Sequence, residues 1–234
     1  FGAEFGVSPV EFAQTQRLLL AKRLLTDTAL PVTEIAFASG FRSLRRFNAL
    51  FKQRYRLQPS QLRRHMRGAA STTPAAVDAL QFELSFRPPY DWAAVSAFLS
   101  TRAVAGVEAV DGGCYRRTVR IPLDGKEHLG WIEIAMSPKK PTLRVTVSAS
   151  LAKALPPVLS RVKALMDLAC NPAEVALALG ALAKRHPGLR VPGAFDGFEV
   201  AVRAILGQQV SVAAARTVAG RFAAALGDPL DTPF

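Results

Sequence analysis

The chain has 234 residues, half of them hydrophobic, and carries 30 Lys and Arg against 18 Asp and Glu, a formal net charge of +12. That length and apolar share suit one large or two small domains with buried cores and exclude a disordered chain. No run approaches the roughly 18 to 20 uncharged apolar residues of a bilayer span, the N-terminus lacks signal-peptide order, and two cysteines without CxxC spacing argue against a disulfide framework or structural zinc.

The expectation is a cytoplasmic region with no metal and no cofactor, in which Cys114 and Cys170 are buried thiols. Phe1 as the first residue and the turn-like last stretch GDPLDTPF predict a fragment cut at both ends. The charge is unevenly spread. Residues 1–67 hold 12 basic against 4 acidic side chains, and no acid occurs between Glu34 and Asp78. A field of one sign suits a polyanion, nucleic acid or an anionic membrane, unless it is only a solvated basic face. No Lys-rich amphipathic helix with an aromatic face supports a membrane partner.

Helical patterns fill the first region: PVEFAQTQRLLLAKRLL from Pro9, then PVTEIAFASG, SLRRFNALFKQRY and PSQLRRHM. Val32, Ile35 and Ala36 form one apolar face, and Gly40 closes that helix through a left-handed turn. Ser43 is placed to cap the next helix, with Leu44, Phe47, Leu50 and Phe51 inward and Arg45, Arg46, Asn48, Ala49 and Lys52 outward. Two short helices about a glycine turn, the second bearing Arg and Asn outside, have the form of a helix-turn-helix that reads base edges in a major groove. The stretch PVTEIAFASGFRSLRRFNALFKQRYRLQPSQLRR resembles the second helix-turn-helix of AraC/XylS-type regulators: the A-x-x-x-GF turn, the pair Phe47 and Phe51, and the closing P-S-Q-L-R all match. The preceding EFGVSPVEFAQTQRLLLAKRLL resembles the end of the first helix-turn-helix and the linker helix. The resemblance implies that Arg42, Ser43, Arg45, Arg46 and Asn48 face promoter DNA and that most of the first reading head is missing. A lone head binds more weakly and less specifically than a pair.

GAASTTPAA, residues 68–76, reads as a linker. Strand patterns follow: LQFELSF at 80–86, YRRTVRI at 115–121, LGWIEIAM at 129–136 and TLRVTVSA at 142–149, with helical spacing in YDWAAVSAFLSTRA and turns at Asp111-Gly112-Gly113 and Asp124-Gly125. From Ser150 the pattern is helical again. Asp196 and Glu199 make a capping box for a helix with Phe198, Ala201, Val202 and Ile205 inward. Gly207, Gln208 and Gln209 interrupt it, Ser211 caps its successor, and Val218, Phe222 and Leu226 share a face until Gly227. The predicted architecture is α+β and multidomain: a helix-turn-helix module at 1–67, a linker at 68–79, a small antiparallel sheet-and-helix domain at 80–150, and the start of an all-α domain at 151–234.

Several separated words, SFRPPYDWAAVSAFLSTRAVAGVEAV, YRRTVRI, LACNP and GLRVPGAFDGFEVAVRAILGQQVSVAAARTVAGRF, resemble the AlkA-type 3-methyladenine DNA glycosylase II family over residues 80–234. The resemblance implies a sheet-and-helix N-domain followed by a helix-hairpin-helix glycosylase domain. An enzyme acting on a base in duplex DNA extrudes it and fills the gap left behind. By resemblance Gln209 stands where some relatives place an apolar wedge, Gln208 and Ser211 lie beside it at the DNA, and Phe98 lines the pocket that stacks a cationic alkylated purine. Gln209 departs from an apolar wedge, although an amide can fill a gap and hydrogen-bond base edges; a plain helix-helix turn is the other reading. Phe98 also has core spacing with Val95 and Leu99. Tyr90, Trp92 and Trp131 read as packing rings.

The family's helix-hairpin-helix and catalytic aspartate are expected beyond Phe234, so no catalytic residue is assigned and residues 1–234 are expected to be inactive alone. The function implied for the full-length protein is hydrolytic excision of alkylated bases from double-stranded DNA, fused to a promoter-binding module and acting as a monomer. The alternative is a transcriptional regulator whose glycosylase-like part only binds DNA.

Overall fold

The computed structural model describes residues 2, 6–27, 30–69 and 79–234. They fall into two compact units, Phe1–Leu80 with Ala152–Pro156, and Gln81–Leu151 with Pro157–Phe234. The predicted linker lies mainly on 70–78, outside the described residues.

The first unit contains α1 (Pro9–Asp27), α2 (Val32–Ala38), α3 (Leu44–Tyr55) and α4 (Pro59–Ala69), with α1 packed on α2 and α4, and α3 on both α2 and α4. Ser8 opens α1, its hydroxyl accepting from the Glu11 N–H at 3.2 Å while the Glu11 carboxylate accepts from the Ser8 N–H at 2.8 Å. Two otherwise orphaned donors are thereby satisfied. The core is apolar and aromatic: Leu24, Ile35, Ala36, Phe47 and Phe51 are buried. Phe41, Phe47, Phe51 and Tyr55 form a continuous series of tilted rings with centroids 5.1, 5.5 and 4.7 Å apart. Burying each phenylalanine contributes about 1.5 to 3 kcal/mol.

The second unit is built on a five-stranded sheet of order β1-β5-β4-β3-β2, from β1 (Ala79–Ser85), β2 (Glu108–Asp111), β3 (Cys114–Leu123), β4 (Lys126–Met136) and β5 (Thr142–Ser148). The pairs β2/β3, β3/β4 and β4/β5 are antiparallel. Alternation puts Leu80, Phe82 and Leu84 of β1 inside, and Tyr115, Arg117, Val119 and Ile121 of β3 likewise. The four predicted strands are present. The strand β2 was not expected, because EAVD is too short to show a period and its pairing depends on the Gly112-Gly113 turn, both glycines having positive φ.

The helix α5 (Trp92–Ser100) packs on β2 and β3 and is capped by the Asp91 carboxylate, which accepts from the Ala94 N–H at 2.9 Å. A 3₁₀ turn at Ala149–Ala154 precedes α6 (Leu155–Leu165), whose first turn accommodates Pro156 and Pro157. Then follow α7 (Pro172–Leu179), α8 (Ala181–Arg185), α9 (Gly197–Leu206) and α10 (Val212–Leu226).

Two expectations are corrected. Cys114 and Cys170 are half-buried rather than buried. In α9, Phe198 is 75% and Ile205 72% exposed, and Ala201 is exposed too. The helix is turned so that Glu199, Val202, Arg203 and Leu206 form its half-buried face, because Glu199 and Arg203 pair with charges on β2 and β3. In α10 the residues Val218, Phe222 and Leu226 share a face, as expected, and that face is exposed; the packed seam is Ala215, Ala219 and Ala223, with Gly220 close to Ala105. No helix among the described residues is long and apolar enough to cross a membrane.

Candidate nucleic-acid interface

Two groups of predicted residues lie in separate units. In the first, Gly40 takes φ +81° and turns the chain from α2 toward α3. Ser43 caps α3, its hydroxyl accepting from the Arg46 N–H at 3.3 Å. Arg42, Ser43, Arg45 and Arg46 are exposed and Asn48 is half-buried, while Phe47 and Phe51 are fully buried. The helix therefore presents two adjacent guanidiniums on a rigid aromatic support. Ala49, Lys52, Gln53 and Arg56 line an open groove further along it.

In the second unit, Gly207, Gln208 and Gln209 form a tight turn between α9 and α10. The Gly207 N–H closes α9 on the Arg203 carbonyl at 2.9 Å, and the Ser211 hydroxyl accepts from the Ala214 N–H at 3.2 Å to open α10. Gln209 adopts a left-handed conformation, φ +59°, uncommon for a residue with a Cβ. The Gln208 amide donates to the Ala204 carbonyl at 3.1 Å, whereas both Gln208 and Gln209 are exposed. The turn thus exposes Gln209 between two capped helices, while the exposed Gln208 keeps its amide bonded back to α9.

The capping box at the start of α9 is half formed. Asp196 accepts from the Glu199 N–H at 3.1 Å, but the Glu199 carboxylate turns to Arg117, whose Nη2 donates to it at 2.5 Å, and to Arg203. Arg203 also pairs with Glu108, and Glu108 accepts from the Tyr115 hydroxyl at 2.5 Å and lies 3.6 Å from Arg117 Nη1. The Arg117 guanidinium rests over the Phe195 ring at 4.3 Å. This cluster joins β2, β3 and α9 through side chains that are 4% exposed for Arg117 and 7% for Glu108. Burial pushes the Glu108 carboxyl up, but the guanidiniums of Arg117 and Arg203 and the Tyr115 hydroxyl outweigh it and hold it below the ordinary glutamate range. Burial disfavours the Arg117 charge, and Tyr115, Glu199 and Glu108 restore it. Fixed ion pairs of this kind set the rotation of α9 and so the direction of the turn that follows it.

Phe98 is 41% exposed, whereas Val95 and Leu99 on the same helix are buried. Its ring is thus not part of that core. The Arg102 guanidinium lies over it, 3.8 Å from the centroid. Arg203 Nη1 donates to the Arg102 carbonyl at 3.0 Å, so one side chain ties the end of the Phe98 helix to the helix that leads into the Gln208-Gln209 turn. Tyr90, Trp92 and Trp131 are engaged in packing: Tyr90 donates to the Met166 carbonyl at 2.8 Å, Trp92 to the Gly113 carbonyl at 3.1 Å, and Trp131 meets the Phe234 ring edge-on. Sequence reasoning missed Arg102, Glu108, Arg117 and Arg203. The i, i+4 spacing of Glu199 and Arg203 was a visible signal; the cross-strand partnership of Glu108 and Arg117 required knowledge of β2. Among the described residues, no group of three or more His, Cys, Asp or Glu could hold a metal ion.

A helix-turn-helix module with a basic second helix and an α+β domain with a projecting helical turn define a DNA-binding class of architecture, and comparison with known proteins makes this specific. Residues 1–65 match a family model described as a helix-turn-helix domain, and residues 81–196 match the AlkA N-terminal domain. The chain is an AraC-type helix-turn-helix region joined to an AlkA N-terminal domain. It is 34% identical over 234 residues to a Mycobacterium tuberculosis protein named "Probable bifunctional transcriptional activator/DNA repair enzyme AlkA", covering 97% of this chain and 46% of that protein. It is 41% identical over 150 residues to DNA-3-methyladenine glycosylase 2 of Escherichia coli, covering 64% of this chain and 52% of that one. The chain spans about half the length of these curated relatives. A solved 3-methyladenine DNA-glycosylase from Archaeoglobus fulgidus shares the fold, with TM-score 0.52 and 20% identity over 65% of this chain and 53% of its own.

Proposed function

We propose that this chain is the DNA-docking and base-probing portion of a base-excision glycosylase for alkylated bases, coupled to a promoter-binding regulator head and acting as a monomer on double-stranded DNA in the cytoplasm. The observation that carries the reading is the turn at Gly207 to Gln209. Its two amides are exposed, its flanking helices are capped, and α9 is oriented by buried ion pairs. A rigid turn is a suitable base from which Gln209 enters the space left by an extruded nucleotide, with Gln208 and Ser211 alongside. The exposed Phe98 ring receives the extruded base, and an electron-rich face favours a cationic alkylpurine over a neutral one. Arg42, Ser43, Arg45, Arg46 and Asn48 hold the regulator head on its operator.

No catalytic residue is assigned to the chain. Asp196 caps α9 and pairs with Arg161 at 3.0 Å, and Glu108 and Glu199 are held by arginines, so none of these carboxylates is free to stabilise an oxocarbenium-like sugar. Residues 1–234 are therefore expected to bind alkylated duplex DNA without releasing base, while the longer protein releases it. A base-release assay on methylated duplex DNA tests both halves: release by this chain contradicts the first, and binding without release by the longer protein leaves a regulator that only binds.

A further inference from the structure

The guanidinium of Arg102 occupies the position over Phe98 that a stacked cationic base would need. We propose that Arg102 is an internal plug of the Phe98 site, a resident cation that an incoming planar cation, of the N-alkylated purine class, displaces. This inference rests on the reading of Phe98 as the base-receiving ring.

Arg102 Cζ sits 3.8 Å from the ring centroid, a distance at which guanidinium and ring are in face contact. The rest of its environment is local and exposed: Nη1 donates to Thr101 Oγ1 at 2.9 Å and to the Phe98 carbonyl at 3.3 Å. Among the described residues no carboxylate pairs with Arg102. An arginine in a chain with 14 acids after residue 67 thus rests on an aromatic face and not on an anion. Its backbone is held separately. The Arg102 N–H donates to the Leu99 carbonyl at 3.1 Å and the Arg102 carbonyl accepts from Arg203. The side chain can therefore leave the ring by rotation about its own bonds, with the helix end and the Arg203 bridge unchanged. While in place it excludes a second cation both by occupying the face and by like charge. The plug thus raises the threshold for entry, and a neutral base gains less from its removal than a cationic one.

The test uses the 234-residue chain titrated with 3,9-dimethyladeninium and, separately, with neutral 9-methyladenine, following ligand methyl resonances for ring-current shifts and Arg102 side-chain resonances for displacement. Arg102→Ala is expected to bind the cation about two- to five-fold more tightly, the loss of one exposed cation–π contact. Its gain for the neutral purine should be smaller, and in the wild-type chain the shielded Arg102 resonances should move to ordinary positions on saturation. Phe98→Leu should abolish the ring-current shift. Unchanged or weaker binding by Arg102→Ala, with binding still lost in Phe98→Leu, overturns the plug and leaves the Phe98 reading standing. Equal gains for the two purines also overturn it. Binding that survives Phe98→Leu, or no binding by any form, removes the Phe98 reading and the plug with it.

Discussion

The helices α3 and α9 have the same outward grammar and opposite orientations. In α3 the apolar stripe Phe47 and Phe51 is fully buried and Arg45 and Arg46 are outside, as its periodicity predicts. In α9 the apolar stripe Phe198, Ala201 and Ile205 is outside, and Glu199 and Arg203 face the sheet. The difference lies in what each helix meets. The aromatic side of α3 is matched within a helical core, whereas α9 meets strands that present Glu108 and Arg117 in place of a continuous apolar surface. Helical periodicity identifies a face, and the partner decides whether that face is covered.

The comparison can be broken from either side. Arg117→Ala leaves the buried Glu108 and the half-buried Glu199 to Arg203 alone and is expected to destabilise the sheet unit by about 3 to 5 kcal/mol in denaturant unfolding, far more than a surface arginine would. A loss under 1 kcal/mol would show that the ion cluster does not orient α9. Phe47→Ala removes the centre of the ring series in the first unit and should cost about 3 to 4 kcal/mol there, with the sheet's protection in hydrogen exchange unchanged.

Acid sharpens the contrast. Glu108 and Asp196 both have folded-state pKa values below ordinary: burial raises each, and for Asp196 the Glu199 N–H and the Arg161 charge outweigh it. Their contribution to stability is fully present above the ordinary carboxylate values, about 4, and is lost as pH falls through the lowered folded values. Unfolding midpoints of the sheet unit should therefore drop as pH falls below about 4, and Glu108→Gln should flatten part of that drop. The all-apolar core of α3 contributes no such slope. Among the smaller effects, Ser43→Ala removes the α3 cap and should cost about 1 kcal/mol in the first unit. Replacing Arg45 and Arg46 by Ala should lower the slope of log affinity for DNA against log salt by roughly 2, and an unchanged slope would mean that this face is only solvated.

Local chemistry was legible in the sequence wherever it is decided locally. Ser43, Asp196 and Ser211 cap the helices expected of them, Gly40 makes its turn, and strands with strict alternation appear where the alternation lies. Residues whose role depends on a distant partner were not legible. Glu108 and Arg117 are directly paired across β2 and β3, and the four-residue β2 carries no period to reveal it. The seam of α10 runs through Ala215, Ala219 and Ala223, which score weakly as apolar and so do not stand out in the periodicity beside Val218, Phe222 and Leu226. Phe98 and Leu99 are adjacent in sequence and look alike as apolar residues; only the packing of α5 on the sheet separates a buried leucine from an exposed ring.

The central claim is that the turn between α9 and α10 enters DNA, and base-analogue fluorescence tests it most directly. In a duplex carrying 2-aminopurine beside a stable lesion analogue, the wild-type chain should raise the fluorescence by unstacking, and Gln209→Ala should lose most of that rise while retaining its DNA affinity. An undiminished rise with Gln209→Ala at full binding would contradict the account.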